Sequence, residues 1–251
     1  MVYGGPFPGW LIVDKFRLSA HRGAQVVAPE NTLESIKRAA ELGYRAVEID
    51  PRMSGDGDLF LMHDSTVDRT TTGTGFISTM STKEIESLEI DTTNYPFYQL
   101  RKVRVPTFES VMKLAAEYDL LVNVDGSKMN WTDDYFTSKI VGIIKKYNMW
   151  DRAFFVIGNK SQREQFISKY PDALVTWMNG SNSDVINSLN EIKKYKRSFL
   201  SIPLSLATDS TLANLAEQTS YLQVYDVNNR AELNRLEKNK VNLVETDNLL
   251  P

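Results

Sequence analysis

Short apolar runs alternate with amphipathic segments along most of this 251-residue chain. Compact runs of branched and aromatic residues predict buried strands, and apolar residues recurring every three or four positions predict helices. The predicted barrel strands are Phe16 to Ala20, Arg45 to Asp50, Leu120 to Asp125, Ala153 to Ile157, Ala173 to Trp177, Phe199 to Ile202, Leu222 to Tyr225 and Leu243 to Glu245. About eight strands in alternation with helices are typical of the α/β class and of its closed parallel TIM (β/α)8 barrel.

Two parts of the chain depart from this alternation. Residues 1–15 are rich in Gly and Pro and predict an N-terminal coil. The polar, Thr-rich stretch over about 51–105 holds a helix near Thr82 to Leu88 and a short strand, Leu59 to Met62, whose preceding turn is too tight for a helical crossover. We therefore predict one barrel over residues 16–251, with a small cap inserted after its second strand.

Helix starts and stops are marked by short polar motifs. Asn31-Thr32-Leu33-Glu34 predicts a helix with an N-cap and an acid three residues later, and Gly43 predicts its end. Ser161-Gln162-Arg163-Glu164 predicts a second capped helix start. These motifs place both helices directly after predicted barrel strands.

Composition narrows the classes of function. The formal net charge of −3 and the pI near 5.6 argue against a main role in binding nucleic acid, which usually needs a basic face. The absence of Cys excludes disulfides and thiolate metal sites. No apolar run approaches the ~18 residues of a membrane span, so no transmembrane segment is predicted. The Gly- and Pro-rich start leaves room for an upstream domain and favours an exported or surface role.

Candidate catalytic side chains fall where predicted strands end. His21-Arg22-Gly23 follows the first strand, and His63 follows the short cap strand, which accounts for both histidines of the chain. Glu48 and Asp50 share one face of the second strand because side chains alternate. Asp125 ends the third barrel strand. A solvated strand end with two acids is the alternative for these carboxylates, but the carboxyl ends of barrel strands are where active sites gather.

This combination of residue types predicts a metal-assisted phosphodiesterase. Three carboxylates form an all-oxygen cage that suits Ca²⁺ or Mg²⁺ better than zinc. Arg22 beside such a cage offers forked donors to a phosphate ester. The two histidines, His21 and His63, can then take a proton from an attacking hydroxyl and give one to a leaving alkoxide.

Five motifs together carry a family resemblance. They are His21-Arg22-Gly23, Pro29-Glu30-Asn31-Thr32, Glu48-Ile49-Asp50, the segment 63–71 and Glu245-Thr246-Asp247. In this order they resemble the glycerophosphodiester phosphodiesterase family of phospholipase C-like TIM barrels. The resemblance implies release of glycerol 3-phosphate and an alcohol from a glycerophosphodiester, through attack by a neighbouring glycerol hydroxyl and a cyclic phosphate that water opens.

The same resemblance implies roles for the candidate residues. Glu48, Asp50 and the third-strand acid would hold the metal, His21 would act as base and His63 as acid, and Arg22 would bind the phosphate. The chain departs from the family's usual Glu-x-Lys on the third strand, because it reads Val124-Asp125-Gly126-Ser127-Lys128. We expect Asp125 to ligate the metal and Lys128 to contact the substrate from the following position.

Further contacts and alternatives stay open. Asn123 shares a strand face with Asp125 and is expected to add a hydrogen bond to the site. Trp177 and Tyr225, at later strand ends, are expected to wall the substrate pocket, with packing at the barrel rim as the alternative. Both small headgroup diesters, as in lipid metabolism, and glycerol-phosphate polymers such as teichoic acid present the same local group. The alternatives to this enzyme are a phospholipase D-like barrel and a degenerate barrel that binds a phosphate-rich polymer.

Overall fold

A computed structural model describes residues 16–195, 197–219 and 221–251, so the predicted coil over residues 1–15 lies outside it. The strands are β1 Arg17–Ala20, β2 Ala46–Ile49, β3 Pro51–Met53, β4 Leu59–Leu61, β5 Leu121–Asp125, β6 Ala153–Val156, β7 Leu174–Met178, β8 Ser198–Pro203, β9 Leu222–Tyr225 and β10 Leu243–Thr246. Strands β1, β2 and β5 to β10 close a parallel barrel in which β1 pairs with both β2 and β10. The predicted TIM barrel is confirmed.

The eight α-helices of the described ranges lie on the outer face of the barrel, except the second, Thr82–Ser87, whose Ile85 packs in the cap. They are α1 Leu33–Leu42, α2 Thr82–Ser87, α3 Phe108–Glu117, α4 Asp134–Lys146, α5 Lys160–Lys169, α6 Asn182–Ile192, α7 Asp209–Ala216 and α8 Arg230–Lys238. Their apolar faces pack on outward-facing strand residues such as Val47 and Val122 in the main core. Helix packing therefore leaves the carboxyl ends of the strands clear.

Both predicted helix starts are wrong in detail. The N-cap of α1 is Thr32, whose hydroxyl accepts the Ser35 N–H, whereas Asn31 has a left-handed backbone with φ of 53° and bonds Asp50 with its side chain. The cap of α5 is Asn159, which accepts the Gln162 N–H, so Ser161 lies inside the helix. The predicted end of α1 at Gly43 is confirmed.

Side-chain alternation fills the barrel interior in layers. The layer at the amino ends of the strands is mainly apolar and contains Ala46, Leu121, Phe154, Leu174, Phe199, Tyr221 and Leu243. Two residues further along, most strands have a polar inward residue, with Val156 of β6 as an exception; the buried ones include Glu48, Asn123, Thr176 and Gln223. The apolar layer therefore supports a polar interior beneath the mouth of the barrel.

The chain between β2 and α3 forms the cap. Its hairpin pairs β3 with β4 in antiparallel fashion, with Met53 opposite Leu59, which confirms the predicted short strand outside the barrel. An apolar cluster of its own, including Phe60, Val67 and Ile85, stabilises this segment. No helix in the described ranges is long and apolar enough to cross a bilayer.

Candidate active site

The His21-Arg22-Gly23 turn begins where β1 ends. Arg22 and Gly23 both have left-handed backbone conformations, with φ of 56° and 79°. A Cβ at position 23 would overlap the Ser35 side chain, so only glycine fits this close approach. The turn directs the Arg22 backbone N–H onto Glu48 Oε2 at 2.9 Å. Backbone geometry at this turn thus orients one of the candidate metal ligands.

Three carboxylates converge at the mouth of the barrel. One oxygen each of Glu48, Asp50 and Asp125 lies within 4.8 Å of the others. Glu48 and Asp50 are each only 2% exposed. Burial, followed by the nearby charges of Asp50, Glu245 and Asp125, holds the pKa of Glu48 well above its usual range. A buried all-oxygen donor set with this mutual repulsion fits a hard divalent cation.

His21 is oriented by a carboxylate at the end of β10. Its Nδ1 lies 2.6 Å from Asp247 Oδ1, and its Nε2 points towards Glu48 Oε2 at 3.9 Å. Gln25 and Asn228 also donate to Asp247, at 2.6 and 2.7 Å. Burial lowers the pKa of His21, but the hydrogen bond to Asp247 and the charge of Glu245 outweigh it and raise the pKa overall. Asp247 therefore fixes which ring nitrogen faces the carboxylates.

His63 comes from the cap, just after β4. Its Nδ1 lies 2.7 Å from Asp64 Oδ1, and Arg69 donates to the other oxygen of Asp64 at 2.6 Å. The Arg69 hydrogen bond lowers the pKa of Asp64 to about 2, so this carboxylate stays ionised. The Lys128 ammonium joins the two sides of the mouth, because it donates to Asp50 Oδ1 at 3.1 Å and to the His63 carbonyl at 3.5 Å.

Cations surround the carboxylates. Arg22 Nη1 pairs with Glu30 at 3.1 Å, and its Nε lies 3.7 Å from Asp50. Arg69 binds both oxygens of Glu30 at 2.8 Å. Lys128 reaches the mouth as expected for a residue one position after the family's usual lysine. The mouth thus presents positive side chains from both the barrel and the cap.

Trp177 does not face the mouth, which corrects its predicted place in the wall of the substrate pocket. It lies between the inward-facing Thr176 and Met178 and therefore points outward, where its ring is 1% exposed and stacks on Tyr195. Met178, 40% exposed, is the β7 residue at the mouth. Tyr225 does face inward, and its hydroxyl lies 3.5 Å from the Asn179 carbonyl.

Glu245 lies in the barrel interior. From the sequence it stood only in the motif Glu245-Thr246-Asp247, with no role of its own at the site. Its carboxylate accepts hydrogen bonds from Asn123 at 3.0 Å and Gln223 at 3.1 Å. The expected hydrogen bond of Asn123 thus goes to Glu245. Burial raises the pKa of Glu245 to about 7, although the charge of His21 opposes the rise. The sequence signal for this residue is an acid directly after the apolar pair Leu243-Val244, at the end of a predicted barrel strand.

Curated relatives match about half of this chain in sequence. The chain is 37% identical over 134 residues to the glycerophosphodiester phosphodiesterase of Caldanaerobacter subterraneus subsp. tengcongensis, a match covering 53% of this chain and 54% of that protein. It is 36% identical over 112 residues to bovine glycerophosphodiester phosphodiesterase 1, covering 45% of this chain and 34% of that protein. The matches thus span about half or less of these curated relatives.

A solved structure matches over almost the whole fold. A phosphodiesterase from Oleispira antarctica, solved in complex with the product sn-glycerol-3-phosphate, superposes with a TM-score of 0.79 at 21% identity and covers 92% of each chain. The family model for the glycerophosphoryl diester phosphodiesterase family matches residues 21–250. The matched range begins at His21 and includes the three carboxylates at the mouth and both histidines. This chain therefore belongs to the glycerophosphoryl diester phosphodiesterase family.

Proposed function

We propose that this protein hydrolyses glycerophosphodiesters to glycerol 3-phosphate and an alcohol, with Ca²⁺ or Mg²⁺ bound at the mouth of the barrel. The observation that carries the proposal is the convergence of Glu48, Asp50 and Asp125 beside an oriented histidine. Family membership and the names of the relatives support the reaction class.

Two of the three candidate ligands, Glu48 and Asp125, keep one oxygen outside the described hydrogen bonds for the cation. Glu48 receives the Arg22 N–H on Oε2 only, and Asp125 receives the Ser127 N–H on Oδ1 only. Asp50 is held by Asn31, which both donates to Oδ2 and accepts the Asp50 N–H, and its Oδ1 accepts from Lys128, so a cation would share that oxygen with the ammonium. When bound, a divalent cation neutralises charge on the phosphoryl oxygens and lowers the pKa of a coordinated hydroxyl.

The side chains of the mouth supply the rest of the reaction. Arg22 and Lys128 bind the phosphate oxygens and hold phosphorus next to the glycerol hydroxyl. The glycerol hydroxyl oxygen bonds to phosphorus while His21 takes the hydroxyl proton at Nε2. At the same time His63 gives a proton to the oxygen of the departing alcohol. The product of this step is a cyclic phosphate.

The second half of the reaction reverses these proton transfers. His63, now neutral, takes a proton from water as the water oxygen bonds to phosphorus. His21 returns its proton to the glycerol oxygen as the ring opens, which leaves glycerol 3-phosphate. Asp247 and Asp64 hold the two imidazoles in place through both halves because each accepts the Nδ1 hydrogen.

The experiment that tests this proposal measures glycerol 3-phosphate release from glycerophosphocholine and from a glycerol-phosphate teichoic acid, with Ca²⁺, with Mg²⁺ and with chelator. Metal-dependent release from either substrate supports it. Folded protein that releases nothing from either substrate contradicts it and favours the polymer-binding barrel. We include the teichoic acid because polymeric and small diesters share the group that the mouth recognises.

A further inference from the structure

A second cavity lies beside the mouth, between α5 and α6. Its volume is about 520 Å³, and Gly158, Arg163 and Met178 are among its lining residues. Met178 also faces the mouth, and Gly158 packs against Ser127, the neighbour of Lys128. The cavity therefore adjoins the candidate active site on the side of β6 and β7.

Arg163 brings a buried positive charge to this cavity without a counter-ion. It is 6% exposed, and its guanidinium donates one hydrogen bond, from Nη1 to the Ile157 carbonyl at 2.8 Å. Within the described ranges it forms no ion pair, and its Nε has no hydrogen-bond partner. Burial lowers the pKa of Arg163 to about 10, so the group remains charged at neutral pH.

No ion pair neutralises this charge within the described ranges, although Glu164 and Glu191 lie close enough for their charges to act on it. The guanidinium carbon lies 4.3 Å from the centre of the Trp177 ring, which stacks in turn on Tyr195. Helix α5 carries Lys160 and Arg163 near its start and no acid in its first turn, the reverse of the arrangement that the helix dipole favours. An anion in the cavity would complement both features.

Two acids, Asp184 and Glu191, also line the cavity. Asp184 accepts the Ser181 hydroxyl at 2.6 Å. Glu191 binds Lys194 at 2.9 Å and lies 3.5 Å from Lys160. Glu191 is thus paired with lysines, whereas the exposed carboxylate of Asp184 is the charge that opposes an anion beside Arg163.

We propose that this cavity binds a second phosphate group of a glycerol-phosphate polymer whose neighbouring phosphodiester lies at the mouth. The assignment of a polymer as the ligand rests on the proposed function, whereas the assignment of a phosphate site rests on Arg163 alone. Asp125 at the end of β5 and the cavity-lining Met178 at the end of β7 lie on strands two spacings apart, about 10 Å, so a chain that leaves the mouth across β6 reaches the cavity. The cavity would then favour polymeric over single diesters.

Binding of inorganic phosphate to the chelated protein, measured by calorimetry, tests the site directly. We expect wild type to bind at an Arg22-dependent and an Arg163-dependent site, with Arg163→Met losing the second and Arg22→Met the first. Arg197→Met is the matched control. Arg197, which directly precedes β8, is also largely buried, but it forms an ion pair with Asp151. Phosphate binding by Arg163→Met equal to wild type overturns the proposal.

Thermal unfolding separates binding from a structural role. Removal of an uncompensated buried charge should leave the Tm of Arg163→Met unchanged or higher. If this variant fails to fold, Arg163→Gln replaces it, and retained phosphate binding by Arg163→Gln overturns the proposal in the same way.

The polymer is tested by the ratio of kcat/KM for a glycerol-phosphate oligomer to that for glycerophosphocholine. We expect Arg163→Met to lower this ratio about tenfold through KM, a loss matching one charge-assisted phosphate contact. An unchanged ratio overturns the assignment to a polymer. If wild type hydrolyses neither substrate while its phosphate binding still depends on Arg163, the proposed function fails and the phosphate site stands.

Discussion

Replacing Asp247 with Asn tests how His21 is activated. The substitution is nearly isosteric but removes the charge that lies 2.6 Å from His21 Nδ1. An amide that donates to Nδ1 would force the ring proton onto Nε2, the nitrogen that faces Glu48 and that we propose accepts the substrate proton. The amide NH2 would also face the N–H of Gln25 or of Asn228, because both of these side chains donate to Asp247.

The expected loss follows from the role that we propose for His21. Positioned acid–base catalysis contributes about 10²–10⁴-fold to a rate. We expect Asp247→Asn to lower kcat for glycerophosphodiester hydrolysis at least about 100-fold while KM changes little, because Asp247 contacts none of the candidate phosphate-binding side chains through a described hydrogen bond. Initial rates at saturating Mg²⁺ or Ca²⁺ measure both constants.

A control substitution and a metal titration complete this test. Asp226→Asn removes an exposed carboxylate just after β9, and it should keep kcat within about twofold of wild type. Calorimetry should show the same metal affinity for Asp247→Asn and wild type. A kcat for Asp247→Asn close to wild type would refute the assignment of His21 as the base held by Asp247.

Four further predictions follow from the same geometry. His63→Ala should abolish turnover of unactivated diesters and keep metal binding, whereas diesters with a nitrophenolate leaving group should retain activity. Asp50→Ala should lose metal binding in calorimetry together with activity. Gly23→Ala should lower the free energy of unfolding in urea by about 2 kcal/mol, because a Cβ overlaps Ser35 and φ is 79°. In the chelated protein, burial raises the pKa of Glu245 to about 7 from 4.5, so the folded state binds its proton more tightly and stability should fall as pH rises across that interval. Glu245→Gln should flatten this fall, and an unchanged slope in urea titrations would contradict it.

The fold was predictable because strand and helix patterns alternate along the chain and each helix buries one face. The prediction for Leu222 to Tyr225 matches β9 at both ends. The strand predicted over Ala173 to Trp177 instead runs over Leu174–Met178. The strand therefore ends at Met178 and not at the predicted Trp177. Because side chains alternate, Met178 is the one that faces the mouth.

Parts of the site depended on contacts that sequence patterns do not encode. Asn31 reads as a helix cap, yet its left-handed backbone places its side chain on Asp50. The partnership of His21 with Asp247 joins residues 226 positions apart and arises only when β1 and β10 pair to close the barrel. Local propensity carries no information about such pairs.

The alternating ion pairs around the mouth limit how the cap can diverge. Arg22 binds Glu30, Glu30 binds Arg69, Arg69 binds Asp64, and Asp64 holds His63. The histidine on the cap is thereby kept in register with the arginine on the barrel. A cap exchanged between relatives would have to bring residues 63–69 with it, whereas the sequence beyond them could change without disturbing these ion pairs.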